Sequence, residues 1–78
     1  MPRFFFDTRD NGRQVRDELG CELAGMDAVH ELAVRTLTGI AADEGPGSDQ
    51  HRFGIDVRDE AGEAVLTSEL TLETRRLG

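Results

Sequence analysis

The chain has 78 residues, a length that corresponds to one small domain. Its single cysteine, Cys21, excludes an intrachain disulfide and a zinc site built from four cysteines. Sixteen acidic residues against nine basic ones give a net charge of −7, which disfavours non-specific binding to a nucleic-acid backbone. We expect a cytoplasmic protein, because the chain shows neither a signal-peptide pattern nor an apolar run that could span a membrane.

The N-terminal segment predicts a β-strand with two unlike faces. The strand covers residues 3–8, and successive side chains of a strand point to opposite faces of the sheet. Phe4 and Phe6 therefore share one face. The other face receives Phe5 and its two charged neighbours on that face, Arg3 and Asp7.

A tight turn and a return strand are predicted next. Asn11-Gly12 is a strong hairpin signal, because a type I′ turn needs positive φ at both central residues. The return strand is predicted over residues 13–17, with Val15 facing the core. Three apolar residues then alternate with glycine or polar residues and indicate a bent extension: Leu19, Cys21 and Leu23.

The middle of the chain predicts a helix over residues 25–43, followed by a loop over residues 44–50. The loop prediction follows from glycine and proline without hydrophobic periodicity. Asp27 in the first turn suits the positive end of the helix dipole. Apolar residues recur at three- and four-residue spacing and define the buried face: Met26, Val29, Ala33, Leu37 and Ile40.

The C-terminal third predicts a second hairpin, with a connection over residues 59–63. The order is therefore ββαββ, a single α+β domain over residues 1–78. We expect a two-layer fold, a four-stranded antiparallel sheet with one amphipathic helix packed on one face. The alternating apolar residues of the two strands are Phe53, Ile55 and Val57, then Leu66, Leu70 and Leu72.

The face of the sheet without the helix gives the first functional hypothesis. A single exposed aromatic is ordinary on protein surfaces, so Phe5 has a simple structural explanation. The alternative is that this face, or an edge strand beside it, contacts a homodimer or protein partner. The predicted interaction surface consists of Phe5, Arg3, Asp7 and, if the register allows, Val65.

The residues able to carry chemistry lack a catalytic spacing. Cys21, His30 and His51 have no recognisable nucleophile–base or metal-ligand pattern, so structural roles are favoured. We expect no catalytic residue, metal or cofactor. Two alternatives remain: a ligand-binding or catalytic pocket between helix and sheet near Cys21 and His30, and nucleic-acid contact through the arginines of the first hairpin.

Several segments resemble a family of small bacterial proteins of unknown function, the DUF6894-like proteins. Its members typically open Met-Pro-Arg-Tyr-Phe-Phe-Asp and later carry Val-Arg-Asp-Glu-x-Gly. The resemblance implies the ββαββ order and no activity. The segments that carry it are Met1-Pro2-Arg3-Phe4-Phe5-Phe6-Asp7, Gly12, Arg16-Asp17-Glu18-Leu19-Gly20 and Val57-Arg58-Asp59-Glu60-Ala61-Gly62.

A more distant resemblance is to the N-terminal domain of HicB-like antitoxins. It rests on a strand, a glycine turn, a return strand with Gly20-Cys21, and a helix with spaced alanines. Such proteins bind a toxin through this domain and carry a separate DNA-binding segment. The resemblance therefore implies protein binding, and we do not expect DNA binding from this chain.

Overall fold

The structure is a computed structural model that describes residues 1–44 and 50–78. The predicted α+β class is confirmed. The loop predicted over residues 44–50 falls mostly on residues 45–49, which lie outside the described residues. Within the described residues the elements are β1 (Arg3–Asp10), β2 (Arg13–Val15), β3 (Cys21–Glu22), α1 (Met26–Glu44), β4 (Gln50–Arg58) and β5 (Ala64–Glu73).

The strands form one antiparallel sheet in the order β2-β1-β4-β5, and β3 also pairs with β1. The predicted bent extension after the first hairpin is thus a short strand of its own. The eight-residue β1 is longer than the three-residue β2, so the returning chain pairs with β1 twice. β2 pairs with one end of β1, and β3 pairs with the other end through Arg3 and Phe4.

The turn between β1 and β2 has the predicted geometry. Asn11 has a φ of 49° and Gly12 a φ of 87°, the positive values that a type I′ turn requires. The turn is also bonded to β4: the Asn11 N–H donates to the Arg52 carbonyl, and the Arg52 N–H donates to Asn11 Oδ1, both at 2.8 Å. These bonds align the hairpin with the central strand.

The hydrophobic core lies between the helix and strands β1, β4 and β5. Helix α1 lies over β4 and β5, and it inserts one residue from each of three successive turns, as its four-residue spacing predicts. None of the described residues forms a helix long and apolar enough to cross a membrane. The buried apolar residues are Phe4, Val29, Ala33, Leu37, Phe53, Ile55 and Val57.

Two residues that the alternation assigned to the core are exposed instead. Val15 is 60% exposed because β2 lies at the edge of the sheet, two strands away from β4. Leu72 is 45% exposed and pairs with His51 near the end of β5. Period-2 alternation gives the face of a side chain correctly, but burial also requires a covering helix.

Candidate functional site

Three of the four predicted surface residues, Arg3, Phe5 and Asp7, lie together on the face opposite the helix. Phe5 is half-buried there by its own chain. The guanidinium carbon of Arg58 lies 4.5 Å from the centroid of the Phe5 ring, in cation–π contact. Gly20 packs against the same ring. Phe5 therefore presents less apolar surface than its sequence position predicts.

Gly20 permits the close approach over Phe5. Its φ is +68°, and a Cβ at this position would lie 2.8 Å from the Phe4 carbonyl oxygen and 2.9 Å from the Phe5 ring. A side chain would therefore meet both a left-handed backbone and a backbone atom that has no freedom to move aside. Glycine at this position brings the loop between β2 and β3 down onto the sheet.

Asp7 is a buried charge rather than a surface group. It is 6% exposed and accepts from Arg58 Nε at 3.0 Å and from the Asp17 N–H at 2.8 Å. Arg58 also donates to the Asp17 carbonyl oxygen at 2.7 Å. A buried carboxylate with this set of partners is compensated, and losing one partner would leave a charge buried alone. Asp7 therefore stabilises the fold.

The Asp17 carboxylate organises the loop between β2 and β3. It accepts from the backbone N–H groups of Phe6 at 3.0 Å, Leu19 at 3.1 Å and Gly20 at 3.0 Å. Burial opposes its ionisation, but these donors and the nearby Arg58 outweigh burial, and the pKa of Asp17 lies below its ordinary value. The Phe6 N–H lies on β1 between the residues that pair with β3 and those that pair with β2, so the Asp17 carboxylate takes the place of a strand partner there.

Val65 does not accompany Phe5. The register between β4 and β5 shifts at a bulge, because Val57 pairs with Leu66 whereas Arg58 pairs with Ala64. Val65 is the additional residue, and it packs against the core cluster that contains Phe4, Val29 and Val57. Its placement on the face of Phe5 is therefore corrected, since a bulge breaks the simple alternation.

The centre of the helix-free face is a network of ion pairs. Arg9 donates to both oxygens of Asp56, at 2.8 and 3.3 Å, and to Glu69 at 3.4 Å. Thr67 donates to Asp56 at 2.8 Å. Arg9 is the main reason that the pKa of Asp56 lies below its ordinary value, and the same contact raises the pKa of Arg9. The Arg9 guanidinium lies over Gly54, so this face is polar and largely self-paired.

The candidates for a pocket near Cys21 and His30 lie apart. Cys21 is in β3, beside β1, whereas His30 lines a groove over β5, at the other side of the sheet. His51 contacts Asp10 and stacks on Phe53 with ring centroids 4.2 Å apart. The structure does not bring these three side chains together.

The arginines of the first hairpin are partly engaged in ion pairs. Arg3 contacts Glu22 at 3.2 Å, and Arg9 contacts Asp56 as described above. Arg13 and Arg16 are exposed. Half of the arginines proposed for nucleic-acid contact are therefore neutralised locally.

The two edges of the sheet are unlike. At one edge, β1 is covered by β2, by the Asp17 carboxylate and by β3. At the other edge, β5 pairs with β4 on one side, and no described residue pairs with its outer side. We call this outer side, over residues 64–73, the free edge. Along an edge strand, alternate residues present unpaired N–H and C=O groups.

A groove between the helix and β5 lies beside the free edge. It has a volume of about 280 Å³ and is lined by Met26, Asp27 and His30 on one side and by Leu66, Thr67 and Ser68 on the other. Met26, His30 and Val34 follow one another at four-residue intervals along the helix and form what we call the helix stripe. Met26 is 44% and Val34 is 43% exposed, and Val34 lines an adjoining groove on the helix that also contains His30.

Comparison with known proteins supports the family expected from the motifs. A family described as "Domain of unknown function (DUF6894)" matches residues 3–71. The chain belongs to this family. Searches of curated proteins and of solved structures gave no match, and the more distant resemblance to HicB-like antitoxins receives no support from them.

The segments that carry the DUF6894 resemblance have structural roles in this chain. Asp17 and Gly20 hold the loop against β1, and Arg58 joins that loop to the sheet. Asp59 accepts from the N–H groups of residues 61 and 63, at 3.0 and 2.9 Å, and forms the turn before β5. Gly62 has a φ of +85° in that turn. The helix stripe lies outside these segments.

Proposed function

We propose that this DUF6894 protein is a non-enzymatic interaction module that binds another polypeptide chain along the free edge and thereby extends its sheet. The observation that carries the proposal is the difference between the two edges. One edge ends in two short strands, β2 of three residues and β3 of two, and the loop between them is bonded to β1 through Asp17. The other presents a ten-residue strand with one neighbour.

The composition of β5 supports pairing at this edge. Natural proteins protect exposed edges with proline, lysine, bulges or short strands. β5 is long, contains no proline, has its bulge at its first residues, beside Arg58, and carries only two charged residues, Glu69 and Glu73. Addition of a strand to such an edge is an established form of protein recognition, in which main-chain hydrogen bonds supply affinity.

The helix stripe supplies the apolar part of the contact. A strand laid along β5 would pass beside the groove between the helix and Leu66. Met26, Val34 and Leu72 are each more than 40% exposed along this side of the molecule. Main-chain bonds would then be combined with apolar burial, which is the stronger contribution to association.

The sequence-based hypothesis placed the contact around Phe5, and the structure favours moving it to the free edge. The Phe5 ring is covered by Arg58 and Gly20, and Arg9 at the centre of that face is paired with Asp56 and Glu69. An interaction through the sheet is retained, but through its edge rather than through its face.

The test is affinity purification of the tagged chain from the cells that produce it, followed by identification of the polypeptides that it retains. Tagged wild type, Leu72→Lys and Val15→Lys are compared. Leu72 lies at the free edge and Val15 at the covered edge, and both are exposed apolar residues, so Val15→Lys controls for the added charge. We expect a polypeptide, either the untagged chain or another protein, to be retained by wild type and by Val15→Lys and lost with Leu72→Lys.

Equal retention by all three proteins, or retention by none, would overturn the proposal. Circular dichroism of each variant is required first, so that loss of retention is not loss of folding. Both substituted residues are at least 45% exposed, and such substitutions usually change stability by less than about 0.5 kcal/mol.

A further inference from the structure

We infer that the occupant of the free edge is a second copy of the same chain, paired antiparallel through β5 with the twofold axis at Leu70. The inference rests on the proposed function and names its partner. The result is a continuous sheet in which both helices lie on the same face. Such an interface is isologous, since each copy contributes the same surface.

The register follows from the alternation in β5. With Leu70 at the axis, residues 67–73 of each copy pair within the existing strand. In every pair the two residue numbers are both odd or both even, so the two side chains point to the same face of the extended sheet. The pairs are Leu70 with Leu70, Glu69 with Thr71, Thr67 with Glu73, and Ser68 with Leu72.

Moving the twofold axis to a nearby residue places glutamate side chains of the two copies directly opposite each other. Like charges in such positions destabilise a pair of strands. An axis at position 69 opposes Glu69 to Glu69, and one at position 71 opposes Glu69 to Glu73. An axis at position 68 opposes no carboxylates within β5, but it places Glu63, the residue before the strand, opposite Glu73. An axis at position 72 leaves only residues 71–73 of the strand paired. Among these five, only the axis at Leu70 opposes no carboxylates either within the strand or just beyond its ends, and it pairs residues 67–73.

Charge complementarity at the two ends of the ladder favours the same partner. Arg75 and Arg76 follow β5 closely, whereas the turn before β5 carries Glu60 and Glu63. Arg75 contacts Glu73 of its own chain at 3.0 Å, and Glu60 accepts from the Arg3 N–H, so Arg76 and Glu63 are the pair considered for contact between copies. Antiparallel pairing brings Arg76 of one copy beside Glu63 of the other, twice in each dimer.

The expected distance between the two helices of the proposed dimer is compatible with helix packing. Helix α1 lies over β4 and β5, and strands are about 4.8 Å apart, so the two helix axes would lie roughly 10 Å apart across the twofold axis. This is the normal distance for packed helices, about 8–10 Å. Ala33 and Leu37 pack in the cluster that includes Leu70, so Val34 lies at the level of the axis. Val34 of each copy then meets Val34 of the other.

The exposed area is sufficient for such an interface. A folded chain of 8.6 kDa is expected to expose about 4700 Å², and this chain exposes 5669 Å². The C-terminal residues beyond β5 account for part of the excess. A dimer of standard size buries about 800 Å² on each partner, which is comparable with the excess.

Mixed cross-linking tests the register. In a Cys21→Ser background, Thr67→Cys protein is mixed with Glu73→Cys protein and treated with a short bifunctional thiol reagent. These two positions are opposite each other in the register, so we expect the mixture to cross-link. Each protein alone should not, because two copies of position 67 would lie about 20 Å apart along the strands, and the same holds for position 73.

Sedimentation equilibrium measures the affinity. We expect a dimer in wild type and at least a tenfold higher dissociation constant for Val34→Glu, with Val15→Glu at the covered edge as the matched control. Arg76→Glu should raise the constant about fivefold, as expected for two exposed ion pairs. The double variant Arg76→Glu with Glu63→Arg should restore it to within about twofold, because the same pair is present with its charges exchanged.

Each outcome decides between the two proposals. A protein that stays monomeric at every concentration overturns the second copy, and the proposed function then stands or falls with the Leu72→Lys retention experiment. A dimer whose dissociation constant is unchanged by Val34→Glu and in which Thr67→Cys does not cross-link to Glu73→Cys overturns the second copy at the free edge, and the proposed function again depends on the retention experiment. A dimer that responds to Val34→Glu but cross-links Thr67→Cys to Glu69→Cys overturns the register at Leu70.

Discussion

Removing the Asp17 carboxylate should lower the free energy of unfolding substantially, because this one group accepts three backbone hydrogen bonds. Asp17→Ala deletes the acceptor of three backbone N–H groups, those of Phe6, Leu19 and Gly20. A buried donor left without an acceptor costs about 1–3 kcal/mol, and donors that water can reach cost about 0.5–1 kcal/mol each. We count the partly buried Phe6 donor of β1 in the first class and the two loop donors in the second, so we expect a loss of about 2–5 kcal/mol.

This loss is large relative to the whole stability of such a domain. A 78-residue chain is expected to be stable by about 4–12 kcal/mol. Asp17→Ala should therefore lower the melting temperature by roughly 10–25 °C. Urea unfolding should be followed by far-ultraviolet circular dichroism, because the chain contains neither tryptophan nor tyrosine.

Glu18→Ala is the matched control, since Glu18 is the next residue, carries the same charge and is exposed. We expect it to change the unfolding free energy by less than about 0.5 kcal/mol. If Asp17→Ala and Glu18→Ala differ by less than about 1 kcal/mol, the Asp17 carboxylate does not hold the loop against β1, and the account of the covered edge is wrong.

Three further predictions concern the same region. Gly20→Ala should destabilise by about 2–3 kcal/mol and Gly62→Ala by about 1 kcal/mol in urea unfolding, because both have positive φ but only Gly20 has atoms within 3 Å of a new Cβ. Phe5→Ala should lower stability by about 1–2 kcal/mol in the same assay and leave the solution mass unchanged; an unchanged stability with an altered mass would restore Phe5 as a contact. The pKa values of Asp17 and Asp56 are lowered on folding, so their contribution to stability is complete above the ordinary pKa of an aspartate and is lost as pH falls through the lower folded pKa. Acid titration of wild type should show this decline, and Asp17→Asn should decline less steeply.

Local patterns were sufficient to predict most of the fold. The helix predicted over residues 25–43 is observed at Met26–Glu44, because apolar residues at three- and four-residue spacing specify a helix. Its predicted buried face is confirmed at Val29, Ala33 and Leu37, whereas Met26, assigned to that face, is 44% exposed. The turn at Asn11-Gly12 is confirmed for the same kind of reason, since the dihedral requirement is local. Phe4 lies on the helix side and Phe5 opposite, as alternation requires.

The features that sequence did not predict depend on contacts between distant residues. Asp7 is buried because Arg58 and Asp17 reach it, from 51 and 10 positions away along the chain. Val65 is partly buried against the core because of a bulge, and no residue type marks that bulge. The free edge could not be predicted either, because an alternating strand gives its faces but not its neighbours. The length of β5 and its lack of proline were the available signals.

The residues of the family motifs lie mainly beside one edge of the sheet. The motif residues Asp17, Gly20 and Arg58 all act beside β1, where the Asp17 carboxylate accepts from the Phe6 N–H between the β2 and β3 pairings. The strands at this side of the sheet have three and two residues, whereas β5 has ten. On the proposal that β5 pairs with another chain, the motif residues shorten the competing edge, and the side chains of β5 and the helix stripe supply the contact. Asp17→Ala should leave the Phe6 N–H of β1 free to pair with a strand of another molecule. Asp17→Ala protein that stays folded should therefore form aggregates larger than the proposed dimer, whereas Glu18→Ala protein should not.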